Sequence, residues 1–180
     1  MPPPPSRSEK AAVRAAAPQL TIGCAGFPVP ATRYFKEFLF VEVQETHIAL
    51  PGTGTIRRWR REAPAGFTFS MLAPREIGQE GFRAGKAVDN ALKALVEVGK
   101  ELSADTAVFA APPDFTNNRA NKAVVKEFLL GLKKKFAHLV WEAPPTWDAD
   151  DAAMPSCSFV ADWSDVWMPD PDPAWLWPAS

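Results

Sequence analysis

From Gln19 onward, short apolar runs alternate with stretches in which apolar residues recur every three or four positions. The apolar runs predict six β-strands, at residues 20–24, 39–44, 67–72, 105–111, 138–143 and 158–162. The amphipathic stretches predict helices at residues 32–38, 87–102 and 118–134, and one that is capped near Thr53 or Thr55. Strands that alternate with helices form parallel sheets joined by right-handed crossovers. The pattern therefore predicts an α/β fold, either a β/α barrel or a doubly wound sheet.

The two ends of the chain depart from this alternation. Residues 1–18 begin with four consecutive prolines and continue with small and basic residues, which predicts a disordered tail. Residues 163–180 contain too many prolines for regular structure but carry four tryptophans, at Trp163, Trp167, Trp175 and Trp177. Because buried aromatic rings contribute large contact areas, we expect this acidic tail to pack on residues 19–162, on a second copy of the chain or on a protein partner.

Composition narrows the class of protein. With 180 residues, 47% of them hydrophobic, the chain is expected to form one domain with a sizeable core. No apolar run approaches the roughly 18–20 residues that cross a bilayer, so a membrane protein is not expected. Two cysteines, Cys24 and Cys157, form no disulfide framework, which favours a cytoplasmic location.

Charge is distributed unevenly along the chain. All 20 lysines and arginines precede residue 141, whereas residues 141–180 carry eight acidic residues and no basic one. The simplest interpretation is an acidic tail that lies on a basic body; a basic face blocked by a nucleic-acid mimic is the alternative. The arginines of residues 57–61 surround Trp59 on a predicted helix, so they would fan over its solvated side, and nucleic-acid binding is not expected.

Six blocks of sequence resemble the YecE-like family, domain of unknown function 72. They are IGCAGF (22–27), VEVQETHIALP (41–51), TIRRW (55–59), GFTFSMLAPREI (66–77), FAAPPDF (109–115) and VWEAPPTW (140–147). Their order and spacing agree with the family across about residues 20–162. The resemblance implies a TIM-type β/α barrel and no established biochemical activity.

Several residues differ from those usual in the family, and most of the usual ones are polar. The differences are Leu72 in place of Lys, Gly78-Gln79 in place of Thr-His, Ala110 in place of Gln, Pro144 in place of Arg and Ile48 in place of Tyr. The final strands of the family have no counterpart. Since an eight-stranded barrel needs about 250 residues, residues 19–162 suffice for about five to six β/α units. We therefore expect an incomplete barrel whose open edges are covered by the tail, a second copy or a partner. The missing polar residues raise the hypothesis that it is a pseudoenzyme.

Two glutamates are the candidate catalytic residues. Glu42 and Glu142 each lie near the carboxyl end of a predicted strand between apolar neighbours. If those neighbours face the helices, both carboxylates point into the barrel at its catalytic rim. Burying a carboxylate there is costly unless it is paired, protonated or metal-bound. We expect Arg75 to pair with one of them, or one carboxyl to have a raised pKa; a purely structural ion-pair network is the alternative.

Four further residues are candidate ligand-binding residues. Arg75 follows the third strand and suits a carboxylate or phosphate, although an ion pair with Glu76 or Glu42 explains it equally well. Gln44 and His47 follow Glu42 along the chain, and Asp162 ends the sixth strand. Glu42, His47, Glu142 and Asp162 together could bind a divalent metal, but no short-spaced ligand motif supports a metal site.

These residues lead to one preferred function and two alternatives. The preferred one is a barrel, non-catalytic or weakly active and without a cofactor, that binds a small anionic ligand or a partner at its rim. The first alternative is a metal-assisted hydrolase of a phosphate or glycosyl-type substrate. The second is an assembly element that acts through the open barrel edge and the tryptophan-rich tail.

Overall fold

The structure of the protein, a computed structural model, describes residues 21–148 and the backbone of residues 158–160. The strands are β1 (Cys24–Ala25), β2 (Phe40–Val43), β3 (Thr68–Leu72), β4 (Thr106–Ala110), β5 (His138–Glu142) and β6 (Ser158–Val160). The helices are α1 (Ala31–Glu37), α2 (Glu45–Ile48), α3 (Thr53–Glu62), α4 (Arg75–Gln79), α5 (Lys86–Leu102) and α6 (Arg119–Leu132). The predicted tails and Asp162 lie outside the described residues.

The described strands form one parallel sheet in the order β1-β2-β3-β4-β5-β6. A doubly wound sheet reverses its strand order at a switch point, whereas consecutive strands are neighbours throughout a β/α barrel. Right-handed crossovers between consecutive strands place the helices on one face of the sheet. The prediction of an α/β fold that forms part of a β/α barrel is therefore confirmed.

The hydrophobic core lies between the sheet and the helices. Alternate strand residues are buried on this side, among them Val41, Val43, Phe69, Met71 and Trp141. The guanidinium of Arg60, on α3, lies 5.2 Å from the centre of the Phe69 ring. A Cβ added at Gly99, on α5, would lie 2.9 Å from the terminal carbon of Met71. The opposite face, which we call the concave face, therefore carries the intervening residues, including Glu42, Ser70 and Glu142.

The hydroxyl of Tyr34 connects β1 to β2 through two hydrogen bonds. The backbone N–H of Cys24 donates to the Tyr34 hydroxyl (2.6 Å), which donates in turn to the carbonyl of Phe40 (2.8 Å). The Tyr34 ring is fully buried and stacks on Phe38 with centroids 4.7 Å apart. The predicted first strand, residues 20–24, was placed too early, because the pairing with β2 involves Cys24 and Ala25.

Two short helices were not predicted from the sequence. The one-turn helices α2 and α4 follow β2 and β3 almost directly, and one turn is too short to show a helical period. The predicted threonine cap of α3 is wrong: the N-cap is Gly52, which makes no side-chain cap hydrogen bond. The N-cap of α6 is Asn118, whose side-chain oxygen accepts from the N–H of Asn121 (2.9 Å).

In the described ranges, no helix has the length and apolarity needed to span a bilayer.

Candidate functional site

The carboxyl ends of β2, β3 and β4 surround a cleft of about 270 Å³. Its walls include His47 from α2, Arg75, Gly78 and Gln79 from α4, and Ala110 and Pro112 at the end of β4. Active sites of β/α barrels lie at this edge, where loops after successive strands converge. The structure thus brings together two predicted ligand-binding residues, His47 and Arg75, that are 28 positions apart in the sequence.

The imidazole of His47 is held by the backbone of the next strand. Its Nδ1 lies 2.7 Å from the carbonyl oxygen of Ala73. The preceding residue, Thr46, is buried, and its hydroxyl hydrogen is shared between the carbonyls of Val43 (2.9 Å) and Leu72 (2.6 Å). These contacts tie α2 to the end of β3 and fix the position of the His47 side chain.

Arg75 presents its guanidinium at the surface of the cleft. The side chain is 53% exposed, and Nε lies 4.0 Å from a carboxylate oxygen of Glu76, the limit of an ion pair. No described contact joins it to Glu42, so the expected pairing of these two residues is not observed. An exposed pair at this distance contributes little to stability, which leaves the guanidinium donors available to a ligand.

Small residues bring α4 and the end of β4 close together. A Cβ added at Gly78 would lie 2.6 Å from the carbonyl oxygen of Ala110 and 3.4 Å from the Pro112 ring. Gly78, Gln79 and Ala110 all line the cleft. Of these three residues, only Gln79 brings a polar side chain to the lining.

Glu42 lies on the concave face, one residue before the end of β2. It is half-buried, and its Oε1 accepts a hydrogen bond from Nε2 of Gln44 (3.3 Å). The adjacent residue in register on β3 is Ser70, whose hydroxyl is buried and has no hydrogen-bond partner among the described residues. Glu42 and Gln44 thus interact with each other, and neither lines the cleft.

Glu142 is the last residue of β5 and is paired in register with Ala110, a residue of the cleft. Its carbonyl accepts from the N–H of Ala111 (3.0 Å), so the two strand ends are joined at this level. Side chains paired in this way on parallel strands point to the same face of the sheet. The candidate residue Glu142 therefore adjoins the cleft that contains His47 and Arg75.

The strand register relates the two glutamates to each other. Glu42 aligns with Ser70, Thr106 and then His138, which precedes Glu142 by four residues. In an eight-stranded barrel of shear 8, the residue found at a given height along the barrel axis shifts by about one register position from each strand to the next. From β2 to β5, which is three strands further, the shift is therefore about three positions. With that shear, the two carboxylates would stand on the concave face about one residue apart in height.

The suggested metal ligands fall partly outside the described residues. Asp162 is not described, and the described part of the chain has no cluster of three His, Cys, Asp or Glu side chains suited to a metal ion. In His47, one ring nitrogen is already engaged by a backbone carbonyl. Nothing in the described geometry favours a metal-assisted hydrolase over a binding site.

Two other surfaces lie outside this cleft. A larger cleft of about 560 Å³ is lined by the loop that follows β1 and by residues of α1, α2 and α3. Its lining places the carboxylates of Glu45 and Glu62 beside Arg58, which makes it less suited to an anion than the cleft of His47 and Arg75. On α3, Arg57 forms a 2.9 Å ion pair with Glu101 and Arg60 lies over an aromatic ring. The ion pair lowers the pKa of the Glu101 carboxyl through a hydrogen bond and charge attraction.

Thr46 and Gln79 belong to the site and were not predicted from the sequence. Thr46 positions the helix that carries His47, and Gln79 lines the cleft directly. Their position shortly after strands β2 and β3 is the signal that could have identified them, because strand-end loops build the rim of a barrel.

Comparison with known proteins gives a consistent family assignment. A family model described as "Protein of unknown function DUF72" matches residues 31–160. A solved DUF72 family protein from Enterococcus faecalis superposes with a TM-score of 0.55 at 15% identity, covering 68% of this chain and 46% of its own. One from Thermotoga maritima superposes with a TM-score of 0.51 at 19% identity, covering 71% and 57%. The matched part thus spans about half of each solved protein. Among curated proteins no match was found.

Proposed function

The chain belongs to the DUF72 family, and on that premise we propose that it binds a small anion in the cleft that contains His47 and Arg75. The observation that carries the proposal is the position of an exposed arginine beside an anchored imidazole at the carboxyl ends of parallel strands. Arginine donates paired hydrogen bonds to carboxylates and phosphates, which makes it the preferred residue for such ligands.

The size of the cleft limits the ligand. At about 270 Å³ it lies just below the range of roughly 300–1,000 Å³ that is typical of pockets for drug-sized molecules. A carboxylate or phosphate of a few non-hydrogen atoms therefore fits better than a nucleotide. The close approach of Gly78 to Ala110 keeps the cleft narrow, since no side chain separates α4 from the strand end.

Binding with little or no catalysis is the form of the proposal that the lining supports. Gly78 and Ala110 line the cleft where the resemblance to the family implies polar residues, and they offer no acid, base or nucleophile. Glu142 beside Ala110 is the carboxylate through which weak activity would arise. We place this activity in the cytoplasm, because a chain with two cysteines is suited to a reducing compartment.

Calorimetric titration of the full chain with acetate, glycolate, sulfate and phosphate tests the proposal. We expect saturable binding of at least one anion, and a loss of about tenfold or more in affinity in Arg75→Gln, because hydrogen bonds to charged groups contribute about 1.5–3 kcal/mol. The matched control is Arg61→Gln, which removes an exposed arginine in the last turn of α3. Equal affinities of the two variants, or no binding by any anion, would contradict the proposal.

A further inference from the structure

The contact of His47 with the backbone determines which ring nitrogen carries the hydrogen. A carbonyl oxygen can only accept, so the nitrogen that lies 2.7 Å from the Ala73 oxygen, Nδ1, must be the donor. In the neutral imidazole, Nε2 then has no hydrogen and can only accept. The side chain lines the cleft, and no described residue donates to Nε2.

Arg75 has the opposite hydrogen-bonding character. Its guanidinium can only donate, and among the residues that the structure describes its closest ionic contact is the one with Glu76 at 4.0 Å. A ligand that satisfies both walls of the cleft must combine a negative charge, for Arg75, with a hydrogen-bond donor, for Nε2 of His47. Simple anions such as acetate and sulfate supply the charge and lack the donor.

We infer that the cleft selects small anions that carry their own hydroxyl group, namely 2-hydroxycarboxylates or hydrogen phosphate, and that His47 determines this specificity. The inference rests on the proposed function, because it concerns the same cleft. An anion without a hydroxyl leaves Nε2 without a partner when it displaces water, and an unpaired polar group is costly. One neutral hydrogen bond is expected to change the affinity by roughly threefold to tenfold.

Two matched pairs of anions test the inference on the full chain at pH 8, where phosphate is mainly a dianion that carries one hydroxyl group. Glycolate differs from acetate by one hydroxyl, and hydrogen phosphate differs from sulfate by one hydrogen-bond donor. Dissociation constants are measured by NMR titration, with the backbone amides of Gly78, Gln79 and Ala111 as reporters. We expect at least one hydroxylated anion to bind threefold to tenfold more tightly than its partner; the pair that differs identifies the ligand class.

The variant His47→Asn separates specificity from anchoring. The asparagine amide can replace Nδ1 as donor to the Ala73 carbonyl, but it has no acceptor at the position of Nε2. We expect the preference within the pair to disappear in this variant, so that the two anions of the pair bind with equal affinity. The wild-type comparison needs no variant, so it remains decisive if His47→Asn does not fold.

The outcomes distinguish this inference from the proposed function. Equal affinities within both pairs, with binding still dependent on Arg75, would overturn the inference and leave the proposed function standing. A preference that survives in folded His47→Asn would also overturn the role of His47. Failure of all four anions to bind would overturn the proposed function and the inference together.

Discussion

Replacing Tyr34 by phenylalanine removes one oxygen atom from the core and leaves the ring in place. The hydroxyl links the Cys24 N–H (2.6 Å) to the Phe40 carbonyl (2.8 Å), so its loss breaks the side-chain connection between β1 and the start of β2. The ring contacts, including the stacked Phe38 at 4.7 Å and the edge-on Phe27 at 5.3 Å, are unchanged by the substitution.

The expected cost follows from these two hydrogen bonds. Each contributes about 0.5–1.5 kcal/mol net, and a buried backbone group left without a partner costs about 1–3 kcal/mol. Because Cys24 is only half-buried and water can reach its surroundings, we expect Tyr34→Phe to lower the free energy of unfolding by about 2 kcal/mol. Deletion of the whole ring in Tyr34→Ala should cost about 3–5 kcal/mol, as for other large core residues.

The same hydroxyl predicts a dependence on alkaline pH. Burial raises the pKa of Tyr34 above its ordinary value, although the hydrogen bond from the Cys24 backbone opposes the shift. A raised pKa in the folded state means that the neutral phenol stabilises the fold fully below the unfolded value of about 10. That contribution is lost as pH rises through the folded pKa, and Tyr34→Phe should lack this loss.

Urea unfolding followed by circular dichroism measures the first effect, and repeating it between pH 8 and about pH 11 measures the second. Tyr34 is the only tyrosine of the chain, so ultraviolet absorbance of the phenolate reports its titration directly. Arg33→Gln, an exposed change on the same helix, is the control. A destabilisation below about 0.5 kcal/mol in Tyr34→Phe, or the same alkaline loss in Tyr34→Phe and the unmodified chain, would show that the hydroxyl does not stabilise the contact between β1 and β2.

Three further predictions concern single contacts. Gly78→Ala should lower the free energy of unfolding by about 1–3 kcal/mol, because the new Cβ would lie 2.6 Å from the carbonyl that ends β4. The control is Gly131→Ala, whose Cβ meets nothing within 4 Å and which should raise the free energy of unfolding by up to about 1 kcal/mol. Equal stabilities of Gly78→Ala and Gly131→Ala in urea unfolding would contradict the close packing at Gly78. Thr46→Val should lower the free energy of unfolding by about 1–3 kcal/mol in the same assay, because the Thr46 hydroxyl joins α2 to the end of β3. The variant should also bind anions more weakly, and an unchanged stability would exclude this role of the hydroxyl. Arg57→Gln should raise the pKa of the Glu101 carboxyl toward its ordinary value in an NMR titration, and an unmoved titration would show that the ion pair does not form in solution.

Much of the fold was predictable because burial imposes a period on the sequence. The strands β2 to β5 and the helices α5 and α6 lie within one or two residues of their predicted bounds, since each buries one regular face. The strand β1 was misplaced because two paired residues show no alternation. The one-turn helices α2 and α4 were missed for the corresponding reason.

The candidate site was predictable only in part. His47 and Arg75 could be proposed because each follows a strand end, and their convergence in one cleft follows from parallel neighbours. The expected pairing of Arg75 with Glu42 is not observed; the described side-chain contacts of these residues are instead with Glu76 and with Gln44. Contacts that depend on register, such as that of His47 with the Ala73 carbonyl, leave no signal in the sequence.

An NMR titration with phosphate locates the anion on the protein. We expect the largest shifts at the amides of Gly78, Gln79 and Ala111 and at the His47 ring, and a phosphate affinity at least about tenfold lower in Arg75→Gln. Saturable shifts confined to another surface, such as the lysines that follow α6, would show that the anion binds there and not in the cleft of His47 and Arg75.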